Sequence, residues 1–227
     1  MNPSALLGLM RLPSPALPVG GFSYSDVLEA AVEAAFVHDE SSALLWLRDQ
    51  LHLSLARADL PLVAAAHDAW LQRDASRITA LNTWMLVSRE SRESRAQTEQ
   101  MGRSMLEWLR QQTTDDDARV ATLGALSPSP TWPIAFAFAA AQTGASAHES
   151  VLAYGFSWAE NQVQAALKSV PLGQNAGQRI LAQLAQELVL LADTALTLSD
   201  AQRQAFAPML AIRSSQHETQ YSRLFRS

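Results

Sequence analysis

The side chains best able to hold a metal or move a proton are five histidines, His38, His52, His67, His148 and His217. Two imidazoles share a zinc or nickel ion from one helix face only when about three or four residues apart, and no pair here has that spacing. His148-Glu149 opens like the H-E-x-x-H helix of a metalloprotease, but Leu152 stands where the second histidine belongs, and His217-Glu218 fails the same way at Tyr221. A metal site is expected only if histidines converge from distant segments or from two protomers. Gly155-x-Ser157 starts like a nucleophile elbow. That turn lies between a strand and a helix and ends on glycine, whereas this stretch reads as helical and ends on Ala159. Ser157 reads more simply as a helix N-cap, and a small helical serine hydrolase using Ser157 with His217 or His148 is the enzymatic alternative. The absence of cysteine removes disulfides, thiolate metal sites and cysteine nucleophiles together. No G-x-x-x-x-G-K-[ST] loop is present to cradle phosphates. No catalytic and no metal-ligating residue is therefore assigned, which favours a binding or scaffolding role.

Two features point to binding. Lys168 is the sole lysine beside sixteen arginines, in the apolar setting QVQAALKSVPLG. One reading is a snorkelling side chain at a helix C-terminus, where its charge suits the dipole. The other is a cation positioned at a protein interface or in a polar channel. The last 14 residues, SSQHETQYSRLFRS, have the same two-sided character. A frayed terminus is the default, but Tyr221, Leu224 and Phe225 interleaved with Arg223 and Arg226 form an anchor pattern of the kind enriched at interface hot spots. Folding upon binding is the reading preferred.

The elements that must position these residues are helical. Hydrophobic residues make up 48% of the 227-residue chain and charged residues 17%, enough apolar material for a sizeable core. Alanine and leucine dominate, and both lose little conformational freedom in a helix. A net charge of -5 argues against a nucleic-acid surface. The N-terminal apolar stretch lacks a basic leader, Pro13, Pro15 and Pro18 would interrupt it, and no apolar run approaches the roughly 20 residues of a membrane span. A cytoplasmic protein with no membrane contact is expected.

Leu12 to Gly21 should be extended or turning. Ser23-Tyr24-Ser25-Asp26 then offers a helix start, with Leu28, Val32 and Ala35 at helical spacing. Leu44 to Leu55 marks a second helix, and Asp59-Leu60-Pro61 a restart with Asp59 as cap. From Ala75 to about Gln111 the pattern is one helix or a close pair, with Arg89/Glu93, Arg95/Glu99 and Glu99/Arg103 as (i, i+4) ion pairs. Thr113 to Arg119 reads as a solvated loop, and Thr131–Gln142 as a buried central helix. Ser146-x-x-Glu149 and Ser157-x-x-Glu160 are capping-box patterns. Pro171-Leu172-Gly173 ends the helix carrying Lys168. Ile180, Leu184, Leu188, Leu191, Ala195 and Leu198 then stripe the longest amphipathic helix, and Ser199-Asp200 breaks it. The predicted fold is all-α, a bundle of about ten helices with an extended N-terminal segment. Residues 1–213 form its body and 214–227 a C-terminal tail.

Four blocks in order along nearly the whole chain resemble the UreF family of urease accessory proteins. LPSPALPVGGFSYSDVLEAAVE is similar to that family's LxSPxLPVGxFSYSxGLExAVE. Asp59-Leu60-Pro61 and SRESRESRAQTEQMGRS resemble its central Arg/Glu-rich segment, and GFSWAENQVQAALKSVPLGQ its W-x-E-x-x-V-x-A-x-x-K block. HETQYSRLFRS is close to the proteobacterial form of its tail. One departure stands out: the family usually has Gln-Gly where this chain has Asp26-Val27, and no functional role is carried onto either residue.

The resemblance implies an all-α, usually homodimeric assembly factor without chemistry of its own. It would act with a UreD/UreH-type scaffold and the UreG GTPase to load nickel and a carbamylated lysine into apo-urease. Nickel and GTP would be handled by those partners, with no cofactor bound directly; direct nickel binding as a metallochaperone is the alternative. Lys168 gains weight as a residue facing the GTPase or a channel, and the tail as a scaffold-binding element. Glu29, Asp59, Glu160, His217 and Arg223 fall at matching motif positions and join Tyr221, Leu224, Phe225 and Arg226 as candidate partner-binding residues.

Overall fold

The computed structural model describes residues 2–112 and 117–226, and among them are eleven α-helices and no strand. They are α1 (Pro3–Met10), α2 (Leu28–Glu33), α3 (Glu40–Gln50), α4 (Asp59–Gln72), α5 (Ala75–Val87), α6 (Arg92–Gln112), α7 (Ala118–Gly124), α8 (Trp132–Gln142), α9 (Ala147–Ser169), α10 (Gln174–Thr197) and α11 (Pro208–His217). The all-α expectation holds.

The fold is built around α8, whose residues from Trp132 to Ala141 are all buried. A helix apolar all round can only be a core helix in water, and α4 and α6 pack directly against it. Trp70 of α4 stacks on Phe138 with centroids 4.7 Å apart and donates its indole N–H to the Ile134 carbonyl at 3.1 Å. Trp132, Phe136 and Tyr154 continue the aromatic core towards α9. On the far side α9 and α10 run together, and α4 also packs on α9.

The first amide groups of a helix lack partners within it. At α8 neighbouring helices supply them: the Thr131 amide donates to Asn82 Oδ1 of α5 at 2.8 Å, and the Trp132 amide to Thr98 Oγ1 of α6 at 3.2 Å. Close approach is also required there. A Cβ on Gly102 would overlap the Pro130 carbonyl oxygen and lie 2.8 Å from the carbonyl carbon of Thr131.

Several boundaries differ from the sequence reading. The segment expected to be extended at the N-terminus begins with α1, capped by Asn2, whose side chain accepts from the Ala5 amide at 2.8 Å, with Pro3 in its first turn. Turns follow from Arg11 to Gly20. Helix α2 starts at Leu28 rather than after Ser23, because Asp26 and Val27 both take left-handed φ values, +46° and +73°. The Ser146/Glu149 capping box forms, whereas Ser157 and Glu160 lie inside α9 and cap nothing. Asp59 is not a cap either; Ala58 holds that position and the Asp59 carboxylate turns inward. The 75–111 region is a pair of helices, and of its three proposed ion pairs Glu99/Arg103 is present at 3.8 Å. Arg89 and Glu93 instead go to Asp59 and to the tail. The loop read at Thr113–Arg119 falls partly outside the described residues; within them Asp117 caps α7 and Arg119 is helical.

Helix α10, 24 residues long, is apolar enough by length and composition to cross a bilayer, contrary to the expectation that no run would be. In the structure it carries Ile180, Leu184, Leu188, Ala192 and Ala195 inward and pairs Glu187 with Arg48 and His52 of the neighbouring helical stretch. Beyond it α11 runs through the residue-213 boundary to His217.

Candidate functional site

The tail folds back onto the body through a cluster of charged groups. Glu29, in the first turn of α2, accepts the backbone amides of Leu224 at 2.6 Å and Phe225 at 2.9 Å. Its Oε2 also lies 3.4 Å from His217 Nε2. Glu93, in the first turn of α6, takes His217 Nδ1 at 2.7 Å on one oxygen and Arg223 Nη1 at 2.5 Å on the other. The His217 ring has no solvent exposure, so these two carboxylates are its polar surroundings. A carboxylate only accepts, and both contacts are hydrogen bonds when each ring nitrogen presents a proton. Just beyond His217, Glu218 accepts the Arg92 and Glu93 amides at 2.8 and 3.3 Å and so caps α6 from outside. The acid suits that helix terminus, where unpaired N–H groups concentrate positive potential.

Farther along, the Arg226 amide donates to the Ser23 carbonyl at 2.9 Å. Phe225 is buried in the core cluster, and the Lys168 ammonium lies over its ring, 5.7 Å from the centroid. Lys168 itself is exposed in the last turn of α9. The interface-or-snorkel question therefore has a concrete first answer: the cation sits on the tail's aromatic anchor. Tyr221 is fully exposed and Leu224 is 62% exposed, while their neighbours are tied down.

A second polar cluster lies deeper. Asp59 accepts from Arg89 Nη2 at 2.6 Å and from the Tyr154 hydroxyl at 3.1 Å. Asp26 accepts from Gln97 at 2.5 Å and from Trp158 Nε1 and Gln162 Nε2, both at 3.0 Å. Burial pushes the Asp26 carboxyl above the usual carboxylate range despite these donors, and burial followed by the Asp59 charge pushes the Tyr154 hydroxyl well up. Asp26, Asp59, Arg89, Tyr154 and Trp158 line a recess of about 130 Å³, together with Ala211 and Ser214 of α11. The short α5–α6 connection joins the two clusters. Arg89 belongs to one and Glu93 to the other, and between them Ser91 accepts from the Ser214 hydroxyl at 2.6 Å.

Of the residues singled out by sequence, the structure brings together Glu29, His217, Lys168, Arg223, Leu224, Phe225 and the Arg226 backbone. Tyr221 is on the same tail but touches none of them through a hydrogen bond, ion pair or ring contact. Asp59 sits in the deeper cluster. Glu160 is half-buried on α9, its side chain without a hydrogen bond or ion pair among the described residues, and burial alone raises its carboxyl. Glu93, Arg89 and Asp26 were missed. The first two stand in the sequence reading only as an (i, i+4) ion pair with each other, and Asp26 only as a departure from the family pattern. Ser157 is internal to α9; of the two histidines considered for it, His217 is engaged by Glu29 and Glu93, and His148 lies 3.1 Å from Asp193.

A family model described as UreF matches residues 37–185. The Urease accessory protein UreF of Methylibium petroleiphilum is 58% identical over 224 residues, covering 99% of this chain and 94% of that protein. That of Polaromonas sp. strain JS666 is 59% identical over 225 residues, covering 99% and 95%. That of Paracidovorax citrulli is 57% identical over 227 residues, covering 99% and 90%.

Proposed function

The chain belongs to the UreF family of urease accessory proteins, and from that premise we propose that it is a non-catalytic adaptor in nickel loading of apo-urease. It joins a UreD/UreH-type scaffold to the UreG GTPase in the cytoplasm, acts as a homodimer, and leaves nickel and GTP to its partners. The tail, residues 214–227, binds the scaffold. The Lys168 end of α9, with Glu160 two turns earlier, faces the GTPase.

The observation that carries this reading is the exposure pattern of the tail. A segment anchored by Phe225, Arg223 and three backbone amides nevertheless presents Tyr221 and Leu224 to solvent. Aromatic and aliphatic side chains on a fixed backbone cost little further entropy when a partner covers them.

The test is truncation after Gln220, which leaves α11, His217 and the Glu218 cap in place. Co-purification with the scaffold should be lost while helicity by circular dichroism is unchanged. Undiminished co-purification of the truncated chain overturns the assignment of the tail to the scaffold.

A further inference from the structure

We propose that Arg77 and Arg203 form a binding site for a phosphate group, in which the Asp200 carboxylate is a built-in stand-in for the ligand. The site lies where the connection between α10 and α11, residues 198–207, packs against α5. It uses no residue of the tail and is independent of the adaptor reading.

Two guanidinium groups converge there on one carboxylate. Arg77, in the first turn of α5, grips both oxygens of Asp200: its Nη1 donates to Oδ2, and its Nη2 to Oδ1 at 2.6 Å. Arg203 places its Nη2 2.6 Å from that same Oδ1. Two cations repel at this range unless an anion lies between them, and guanidinium forks match the oxygens of a carboxylate or a phosphate. Asp74 also adds its charge to Arg77, but its Oδ1 is taken up by the Arg77 amide and the Ser76 hydroxyl at the start of α5. The Asp200 carboxylate is thus shared by both arginines.

That one carboxylate does not satisfy them. The Arg203 side chain is 3% exposed, yet its Nε and Nη1 have no hydrogen-bond partner among the described residues. Its guanidinium lies 5.0 Å from the centre of the Trp84 ring, and an aromatic face attracts a cation but is a weak acceptor for N–H groups. Burial, offset in part by Asp200 and reinforced by Arg77, holds the Arg203 guanidinium below its ordinary pKa. A buried cation is costly until its charge and its N–H groups are both answered. A water molecule would serve the donors but bring no charge, whereas an oxyanion supplies both. The Asp200 side chain is 52% exposed, so it can turn out to solvent and yield its place. A phosphate has more oxygens than the carboxylate it replaces, and these reach the donors that Asp200 leaves unused.

The experiment titrates the full-length chain with inorganic phosphate by calorimetry, at an ionic strength held constant with chloride. The site predicts saturable binding of one phosphate per chain. Asp200→Asn removes the charge of the stand-in and keeps its shape, so it should tighten binding by at least about tenfold, the worth of one charge-assisted hydrogen bond. Arg77→Gln, at a partly exposed position that tolerates change, and Arg203→Lys, which keeps the charge but loses the fork, should each weaken it by at least about tenfold. Glycerol phosphate serves as a second probe. Tighter binding of this ester than of the free ion assigns the site to a phosphate carried on a larger molecule, and equal or weaker binding to the free ion; either supports the site. Absence of saturable binding by both the unaltered chain and Asp200→Asn overturns it. Weaker binding by Asp200→Asn overturns it as well, because Asp200 would then be part of the frame. Unchanged binding by Arg77→Gln would place the phosphate elsewhere and also sinks the proposal.

Discussion

Val27 is the residue at which backbone strain is concentrated. A β-branched side chain at φ +73° is rare, and such a residue costs about 1–3 kcal/mol unless its surroundings impose the conformation. The surroundings do impose it: the adjacent Asp26 is held by Gln97, Trp158 and Gln162 from two other helices. The family signature has glycine at this position, and the structure shows why. The turn into α2 needs a left-handed residue, a conformation that glycine takes without strain. Val27 is nearly fully buried, which offsets part of the strain. Replacing it with glycine relieves the strain but gives up about 1.5–3 kcal/mol of side-chain burial and about 0.5–1 kcal/mol of chain entropy. Val27→Gly is accordingly expected to lose about 1 kcal/mol in urea denaturation, the difference between the central values of these opposing effects. A loss near 3 kcal/mol, as at an ordinary buried valine, would show that the left-handed geometry is unstrained.

At the scale of elements, helix type and order were readable because they follow from local rules. The Ser146/Glu149 box, the Pro171-Leu172-Gly173 stop and the apolar circumference of α8 each depend on residues within a turn or two. Contacts between helices did not follow from spacing. Gly102 lies within the Arg/Glu-rich block and carries no sequence mark of its importance, yet α6 meets the start of α8 there with no room for a methyl group. Gly155 on α9 is also tight, but its obstacle is the end of the Leu188 side chain, which can rotate. Overpacking against fixed backbone costs more than overpacking against a flexible tip. Gly102→Ala should lower stability by about 3 kcal/mol and Gly155→Ala by about 1 kcal/mol, as read by thermal or urea denaturation. Equal losses would remove the distinction between backbone and side-chain obstacles.

For the molecule as a whole, the Asp59–Arg89–Tyr154 group ties α4, the α5–α6 connection and α9 together beside the recess. Asp59 is almost fully buried and Arg89 mostly so. Removing one member of such a pair leaves a desolvated charge, at a cost of about 3 kcal/mol, whereas neutralising both costs much less. Arg89→Met should be strongly destabilising, and adding Asp59→Asn should recover at least half of the loss in a denaturant titration. Strictly additive losses would mean the two groups do not act as a pair. The same connection positions Glu93 for the tail, so the core and the candidate interface share one short segment.

What the sequence determined by itself was the all-α class, the order of most helices, the family signature and the residue set at the tail. Each is written in local periodicity or in motif blocks that survive without knowledge of the fold. The tertiary structure decided how those residues are used. His217 resembled a failed metal motif until two glutamates, more than a hundred residues away along the chain, were seen at its ring nitrogens. Lys168 had two open readings until Phe225 came to lie beneath it. Arg89 and Glu93 have the spacing of an (i, i+4) ion pair, and only packing shows that Arg89 turns to Asp59 while Glu93 holds His217 and Arg223. Long-range partners of this kind have no spacing rule, because folding, not the chain, sets the distance between them.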